Sequence, residues 1–383
     1  MKLFSCQACQ QILFFESVSC TKCGHALGFA PDRGEVCAIE PIAQPDPQID
    51  GGTVADAGGA AAPRAGSGEG GWRVFGDKTP AATYRQCRNQ TDHAVCNWLI
   101  PPDDQGDYCR ACRLNHIIPH LSTSEAKQAW SRLEAAKRRV LYTLFQLGLP
   151  VESRPEHPDR GMEFEFLQDS DSPGGPHIYT GHSHGVITIN IAEADDPFRE
   201  KMRVQMGEAY RTVLGHFRHE IGHYYWDRLI KEGPRLAPFR DLFGDERTDY
   251  AAAQQRHYAS GPPADWPNRF VSAYASMHPW EDWAEAWAHY LHIVDTLETA
   301  RAFSLSLRPE NEQAIQSSSS GLQLASRRLD LHSFDHLISG WLPLTMALNA
   351  LNRSMGLSDG YPFVLSDIAI QKLRFVHNAI HEQ

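Results

Sequence analysis

The chain of 383 residues has no long apolar run, and it has fewer positive than negative charges. Its apolar run nearest the start, Ile12 to Phe15, stops at Glu16, far short of the ~18 residues that a membrane-spanning helix needs. The 36 Lys and Arg residues against 47 Asp and Glu residues give a net charge of −11, which makes nucleic acid an unlikely partner. No apolar secretory signal follows Met1, so we expect a soluble cytoplasmic protein.

Cysteine is concentrated in the first third of the chain. The first set is two C-x-x-C pairs with ten residues between them, made of Cys6, Cys9, Cys20 and Cys23. In a reducing compartment such pairs are typical of metal sites rather than of disulfides. They predict a zinc ribbon over residues 1–38, where the metal replaces a core too small to form alone. A redox dithiol needs only one pair and usually lies in a βαβ unit, which this segment lacks.

Residues 39–71 are rich in Pro, Asp, Gly and Ala, and they predict a flexible linker. A second Cys-rich module is predicted over residues 72–121, with one wide and one regular pair formed by Cys87, Cys96, Cys109 and Cys112. Four thiolates make the simplest site, although His93 and His116 could replace a thiolate ligand. We therefore expect two structural zinc ions, and a protein is the expected partner of the two zinc modules.

Residues 122–383 combine helical and strand patterns. Segments 163–167 and 186–191 alternate polar and apolar residues as half-buried strands do, and a long helical pattern runs from Phe198 to Leu229. This order predicts an α+β fold, mainly helical with a small β-sheet. His177, His182 and His184 lie near glycine-rich turns before the second strand, where they could edge a substrate cleft. We interpret them as surface-loop residues rather than metal ligands.

One motif carries a definite chemistry, the H-E-x-x-H sequence His219-Glu220-Ile221-Gly222-His223. On a helix its two histidines lie one turn apart on the same face, so both imidazoles can reach one metal ion. Glu220 stands beside them without being a ligand. Roughly 0.06 accidental matches to this pattern are expected in a chain of this length.

A third metal ligand must come from elsewhere, because Trp226 and Leu229 replace the Gly and His of the extended H-E-x-x-H-x-x-G-x-x-H pattern. A second predicted helix around residues 280–292 carries a polar ridge without Lys or Arg, made of Glu281, Glu285, His289 and His292. We predict that Glu281 is the third zinc ligand and that Glu285 orients a ligand histidine. The alternative is an ordinary solvated acidic face.

Two histidines and one carboxylate leave the fourth zinc position open for water, as catalytic sites do. The predicted reaction is peptide hydrolysis in a peptide or protein substrate, with Glu220 as general base for the zinc-activated water. Tyr274 is the predicted donor to the developing oxyanion, with His278 as the alternative. Two other hypotheses stay open. One is an interaction module whose peptidase-like site is vestigial or structural, and the other is a non-peptidase zinc hydrolase or a narrow processing enzyme with one protein substrate.

The chain resembles the bacterial zinc-binding metallopeptidases that are fused to an N-terminal zinc ribbon. The likeness rests on four C-terminal stretches, 188–195, 219–223, 243–246 and 278–285, and on the segments around Cys96 and Cys109. It is more distantly similar to gluzincin peptidases of the thermolysin and lethal-factor types, in which a Glu on a separate helix is the third ligand. The resemblance implies a zincin-like catalytic domain over residues 122–383. It also implies metal roles for His219, His223 and Glu281, a base role for Glu220 and an oxyanion role for Tyr274.

Overall fold

The computed structural model describes residues 2–42, 71–77, 83–169, 178–307 and 332–382. The chain divides into an N-terminal unit, residues 3–113, and a C-terminal unit made of residues 114–383 with residues 1–2. Short strands dominate the first unit and helices the second, so the predicted α+β fold is confirmed. Positions 43–70 of the predicted linker and His177 lie outside the described residues.

The N-terminal unit consists of short antiparallel ribbons. Three of its strands form one sheet in the order β3-β4-β5, and two pairs, β1-β2 and β6-β7, stand apart. Its elements are β1 Phe4–Ser5, β2 Ile12–Leu13, β3 Ala26–Ala30, β4 Glu35–Pro41, β5 Trp72–Val74, β6 Arg85–Gln86, β7 Leu99–Ile100 and the single-turn helix α1 Arg88–Thr91. Such small sheets bury little apolar surface.

The boundaries of the N-terminal unit differ from the predicted ones. Strand β4 runs through the predicted end of the first module at residue 38 and pairs with β5, so that Ile39 lies opposite Val74. Both side chains belong to one apolar cluster, which ties the segments on either side of the predicted linker together. The unit ends at Arg113, before the predicted boundary at 121.

The C-terminal unit has one four-stranded sheet in the order β10-β11-β9-β8, with β10 at an edge. Its strands are β8 Asn115–Ile117, β9 Glu163–Leu167, β10 Gly181–Ser183 and β11 Val186–Asn190. Strand β11 runs parallel to β9 and antiparallel to β10. In β9 the alternation of polar and apolar residues buries Phe164 and Phe166 on one face, as predicted for a half-buried strand.

The helices of this unit lie between β8 and β9 or after β11 in the chain. They are α2 Ser124–Gln146, α3 Asp196–Met206, α4 Val213–Leu229, α5 Leu236–Phe243, α6 Tyr250–Ser260, α7 Pro279–Ala302, α8 Phe334–Ser354 and α9 Asp367–His381. Helix α7 packs against α4, α5, α8 and α9, and its inner face is apolar, with Trp283 and Trp287 fully buried. No helix in the described part of the chain is long and apolar enough to cross a membrane.

The predicted continuous helix from Phe198 to Leu229 is wrong, because residues 207–212 between α3 and α4 are not helical. Gly207 ends α3 with a φ of 66°, a left-handed conformation that glycine adopts without a steric penalty. Thr212 then caps α4, since its side chain accepts a hydrogen bond from the Gly215 N–H. Met206, the last residue of α3, is 44% exposed.

Close contact between α4 and α7 depends on Gly222, the fourth residue of the H-E-x-x-H motif. A Cβ atom there would lie 3.1 Å from the Cα of Ala284 and 3.1 Å from the Trp287 ring. The Trp283 indole N–H also donates a hydrogen bond of 2.8 Å to the Gly222 carbonyl. The small residue therefore lets the two helices approach closely enough for side chains on both to meet.

Candidate metal centre

The N-terminal unit brings each predicted set of cysteines together. In the first set, Cys6 Sγ lies 3.6 Å from Cys23 Sγ, and Cys9 Sγ lies 3.6 Å from Cys20 Sγ. Four thiolates held tetrahedrally at about 2.3 Å from zinc would be separated by about 3.8 Å. The sulfur spacing therefore fits one zinc ion.

The second set has the same geometry in a drier environment. Cys96 Sγ and Cys109 Sγ are 3.7 Å apart, and the group is completed by Cys87 and Cys112. All four side chains are buried, whereas Cys23 in the first set is exposed. The proposed substitute ligand His116 lies instead in the C-terminal unit, where it contacts Glu165. Cys87 and Cys96, the widely spaced pair, therefore complete a group of four thiols, and no described histidine belongs to it.

Helices α4 and α7 bring His219, His223 and Glu281 together. The His219 Nε2 atom lies 2.9 Å from Glu281 Oε2 and 3.2 Å from His223 Nε2, and His223 Nε2 lies 3.5 Å from Glu281 Oε1. Ligands at about 2.0–2.1 Å from a tetrahedral zinc ion would be about 3.3 Å apart. The three donors therefore have the spacing of one face of a zinc coordination sphere.

The donor group is largely buried, and burial and the neighbouring charges act in opposite directions on the pKa values of its members. Burial opposes the charged form of His219, but the carboxylates of Glu281 and Glu285 outweigh it and raise the pKa of this imidazole well above its usual range. Burial likewise favours the neutral form of Glu281, but His223 and His219 lower its pKa well below the usual value. Glu281 is only 2% exposed, so the predicted alternative of a solvated acidic face is wrong.

Each histidine is held in a different way. His219 Nδ1 lies 2.8 Å from Glu285 Oε1, and the other oxygen of Glu285 accepts a hydrogen bond of 2.6 Å from the Ser272 hydroxyl. Although burial opposes it, the hydrogen bond with His219 lowers the pKa of Glu285 to about 2. His223 Nδ1 is buried without a hydrogen-bond partner in the described residues, and its ring packs on Trp280 at a centroid distance of 3.9 Å.

Tyr250 is a site residue that the sequence analysis missed. Its hydroxyl donates a hydrogen bond of 2.8 Å to Glu281 Oε1, the oxygen that does not contact His219. Burial and the Glu281 carboxylate raise the pKa of Tyr250. Tyr250 is the first residue of α6 and lies 31 residues before Glu281, and its local sequence pattern does not predict the contact.

The two candidate oxyanion donors have different surroundings. The Tyr274 ring lies 5.9 Å from that of His219, and burial, with the nearby Glu281 carboxylate, raises the pKa of its hydroxyl well above the usual value. His278 instead caps α7: its Nδ1 accepts from the Trp280 N–H, and its Nε2 contacts the Thr248 carbonyl at 3.1 Å. With both ring nitrogens occupied, His278 is not available as the donor.

Glu220 lies on the same helix as the two histidines and is 9% exposed. It is not part of the three-residue donor group, and it has no hydrogen bond to another described residue. A carboxylate beside a metal position without a protein partner can accept a hydrogen bond from water.

The other residues of the predicted α7 ridge turn away from the donor group. His289 Nδ1 lies 2.6 Å from the Tyr361 hydroxyl, and His292 Nδ1 accepts a hydrogen bond of 2.6 Å from Arg218. Burial lowers the pKa of His289 to about 4 and that of His292 well below its usual value. Both are neutral residues that connect α7 to its neighbours.

The interpretation of His182 as a surface-loop residue is wrong. It lies on the edge strand β10, and its ring is 6.3 Å from that of His223 and 6.2 Å from that of Trp280. His184, two residues further, is exposed in the turn that follows. Because His182 and His184 are two residues apart, a continuous strand would place both on the same face. The strand ends at Ser183 instead, so His182 is partly buried and His184 is exposed.

The comparisons with known proteins identify the family to which the chain belongs. Residues 126–379 match the family described as "Putative zinc-binding metallo-peptidase", and this chain belongs to that family. Residues 3–58 and 59–123 each match the zinc-ribbon domain. Proteins of Mycobacterium bovis and of two strains of Mycobacterium tuberculosis, each described as uncharacterized, are 39% identical over 388 residues, covering 100% of this chain and 96% of the relatives. No solved structure matches.

Proposed function

We propose that this protein is a zinc-dependent peptidase that cleaves peptide bonds in a peptide or protein substrate. The observation that carries the proposal is the convergence of His219, His223 and Glu281, with donor separations of 2.9, 3.2 and 3.5 Å. Two imidazoles and one carboxylate are the donor set of many catalytic zinc sites, and they leave one position open.

A zinc ion held by these residues would supply Lewis acidity, polarising a carbonyl group and lowering the pKa of a water molecule. Glu220, free of protein hydrogen bonds in the described residues, would take a proton from that water and give it to the leaving amine. Tyr274 would donate a hydrogen bond to the carbonyl oxygen as negative charge develops there. Glu285 would keep His219 in the orientation that directs Nε2 toward the metal.

We further propose that the two thiol clusters each hold one structural zinc ion, which gives three zinc ions per chain. All nine cysteines are free of disulfide bonds. A reducing cytoplasm would keep the eight cluster thiols available for zinc, so we place the protein there.

The test of the proposed activity compares the wild-type protein with Glu220→Gln and with Glu232→Gln, an exposed control just beyond α4. Hydrolysis of denatured casein and of a peptide library is measured with and without a chelator, together with zinc content. We expect chelator-sensitive hydrolysis by the wild type and the control. Loss of a general base should lower the Glu220→Gln rate by about 100-fold or more without changing the zinc content.

Hydrolysis that survives both the chelator and the Glu220→Gln change would refute the assignment. A wild-type protein that binds three zinc ions but cleaves no peptide would favour the alternative of a zinc-binding interaction module.

A further inference from the structure

His182 is positioned beside the metal centre by a tight hairpin. Ser183 pairs with Val186, so His184 and Gly185 form a two-residue turn, with φ values of 47° and 84°. Positive φ at both positions is the requirement of a type I′ turn, which joins antiparallel strands with the correct twist. The turn brings the Gly185 N–H to within 3.0 Å of His182 Nε2.

This hydrogen bond determines which nitrogen of His182 carries the proton. A backbone N–H can only donate, so Nε2 accepts and the hydrogen of the neutral ring lies on Nδ1. The ring is therefore a neutral imidazole with a fixed Nδ1–H donor.

That donor has no acceptor. The Nδ1 atom is buried and has no hydrogen-bond partner among the residues that the structure describes. Buried donors in native proteins are nearly always paired, and an unpaired one beside a candidate active site indicates that a ligand supplies the acceptor. The His182 ring lies 6.3 Å from the ring of His223 and 6.2 Å from that of Trp280, so His182 borders the candidate metal ligands.

We propose that the Nδ1–H of His182 donates a hydrogen bond to a main-chain carbonyl oxygen of the bound peptide. This inference rests on the proposed peptidase function and assigns one contact of its substrate. A peptide presents a carbonyl oxygen at every residue, and a neutral donor of fixed tautomer discriminates such an acceptor from a cation or an N–H group. His182 would thus contact the substrate, whereas His219, His223 and Glu281 would bind the metal.

The test uses two zinc-binding compounds that share a hydroxamate group, a peptidyl hydroxamate and acetohydroxamate. Only the first has main-chain amide carbonyls. Their affinities for the zinc-loaded protein are measured by calorimetry for the wild type, His182→Phe and His184→Asn, an exposed control in the same turn. We expect His182→Phe to weaken the peptidyl hydroxamate about tenfold, the effect of one buried hydrogen bond, and acetohydroxamate less than about twofold. His184→Asn should change neither.

Equal affinities for the peptidyl hydroxamate in the wild type and His182→Phe would overturn the proposal. So would equal loss of both compounds, because His182 would then support the metal instead of the substrate. Neither compound binding to the zinc-loaded wild type would refute the metal centre itself, and hence the proposed function as well. None of these readouts requires turnover.

A second measurement does not depend on the variant folding. In ¹⁵N-histidine NMR of the zinc-loaded wild type, His182 should show a protonated Nδ1 and an unprotonated Nε2. Its Nδ1 proton should shift downfield with the peptidyl hydroxamate and stay unchanged with acetohydroxamate. The opposite tautomer, or a proton that ignores the peptidyl compound, would overturn the proposal.

Discussion

The thiol clusters and the histidine–carboxylate centre differ in how many donors they present and in what holds those donors. Each cluster offers four sulfur atoms, with S···S distances of 3.6–3.7 Å, and four donors fill a tetrahedral zinc ion. The centre between α4 and α7 offers three donors, each fixed by packed helices. We therefore expect metal to maintain the fold of the N-terminal unit, and the fold of the C-terminal unit to maintain its metal.

The largest expected effect is therefore loss of a thiol cluster. Cys109→Ser removes a fully buried ligand, and we expect the N-terminal unit to lose about 4 kcal/mol or more of stability, because metal binding there is part of the folding free energy. Hydrogen exchange read by mass spectrometry should show lost protection in β3 and β4 but unchanged protection in α4 and α7.

The control for this comparison is His223→Ala, which should also lose one zinc ion but should retain the protection of β3 and β4 as well as that of α4 and α7. Global loss of protection in the C-terminal unit of Cys109→Ser would contradict the proposed division of roles.

A smaller effect is expected at Glu285, whose carboxylate is hydrogen-bonded to the candidate ligand His219. Glu285→Gln keeps the shape of the side chain but weakens its hydrogen bond to His219, so the zinc affinity of the centre should fall about 10–100-fold. Competition with a fluorescent chelator measures this, and the exposed-site variant Glu232→Gln provides the matched control. Unchanged affinity would show that the contact with Glu285 is not what orients His219.

The parts of the site that could be predicted from sequence are those encoded by helical periodicity. His219 and His223 are one turn apart on a single helix, and Glu281 and Glu285 are one turn apart on another, so their alignment follows from local geometry. The break at Gly207 was missed because apolar residues on both sides keep the same period through it.

Other contacts could not be predicted because they join distant segments. Tyr250 meets Glu281 from the start of α6, Ser272 meets Glu285 from a loop, and His182 reaches the centre from a strand at the edge of the sheet. Each depends on how α4, α6 and α7 pack, and packing is not visible in periodicity. In the N-terminal unit, the cysteine spacings predicted both clusters. They did not predict the pairing of β4 with β5, which joins the segment of the first cluster to that of the second.

The smallest of the expected effects concerns Tyr250. Tyr250→Phe removes one hydrogen bond to Glu281 while the ring remains, and we expect zinc affinity to fall about three- to tenfold, the net effect of one such bond. Tyr258→Phe, an exposed residue on the same helix, is the matched control and should leave the affinity unchanged. Equal affinities in the two variants would remove Tyr250 from the metal centre.

Zinc stoichiometry shows whether His219 belongs to a metal centre, and it is measured by mass spectrometry of metals on purified wild-type protein and on His219→Ala. We expect three zinc ions in the wild type and two in the variant, with both thiol clusters still filled. Equal stoichiometry in the two proteins would contradict this expectation, because His219, His223 and Glu281 would then not form a metal centre.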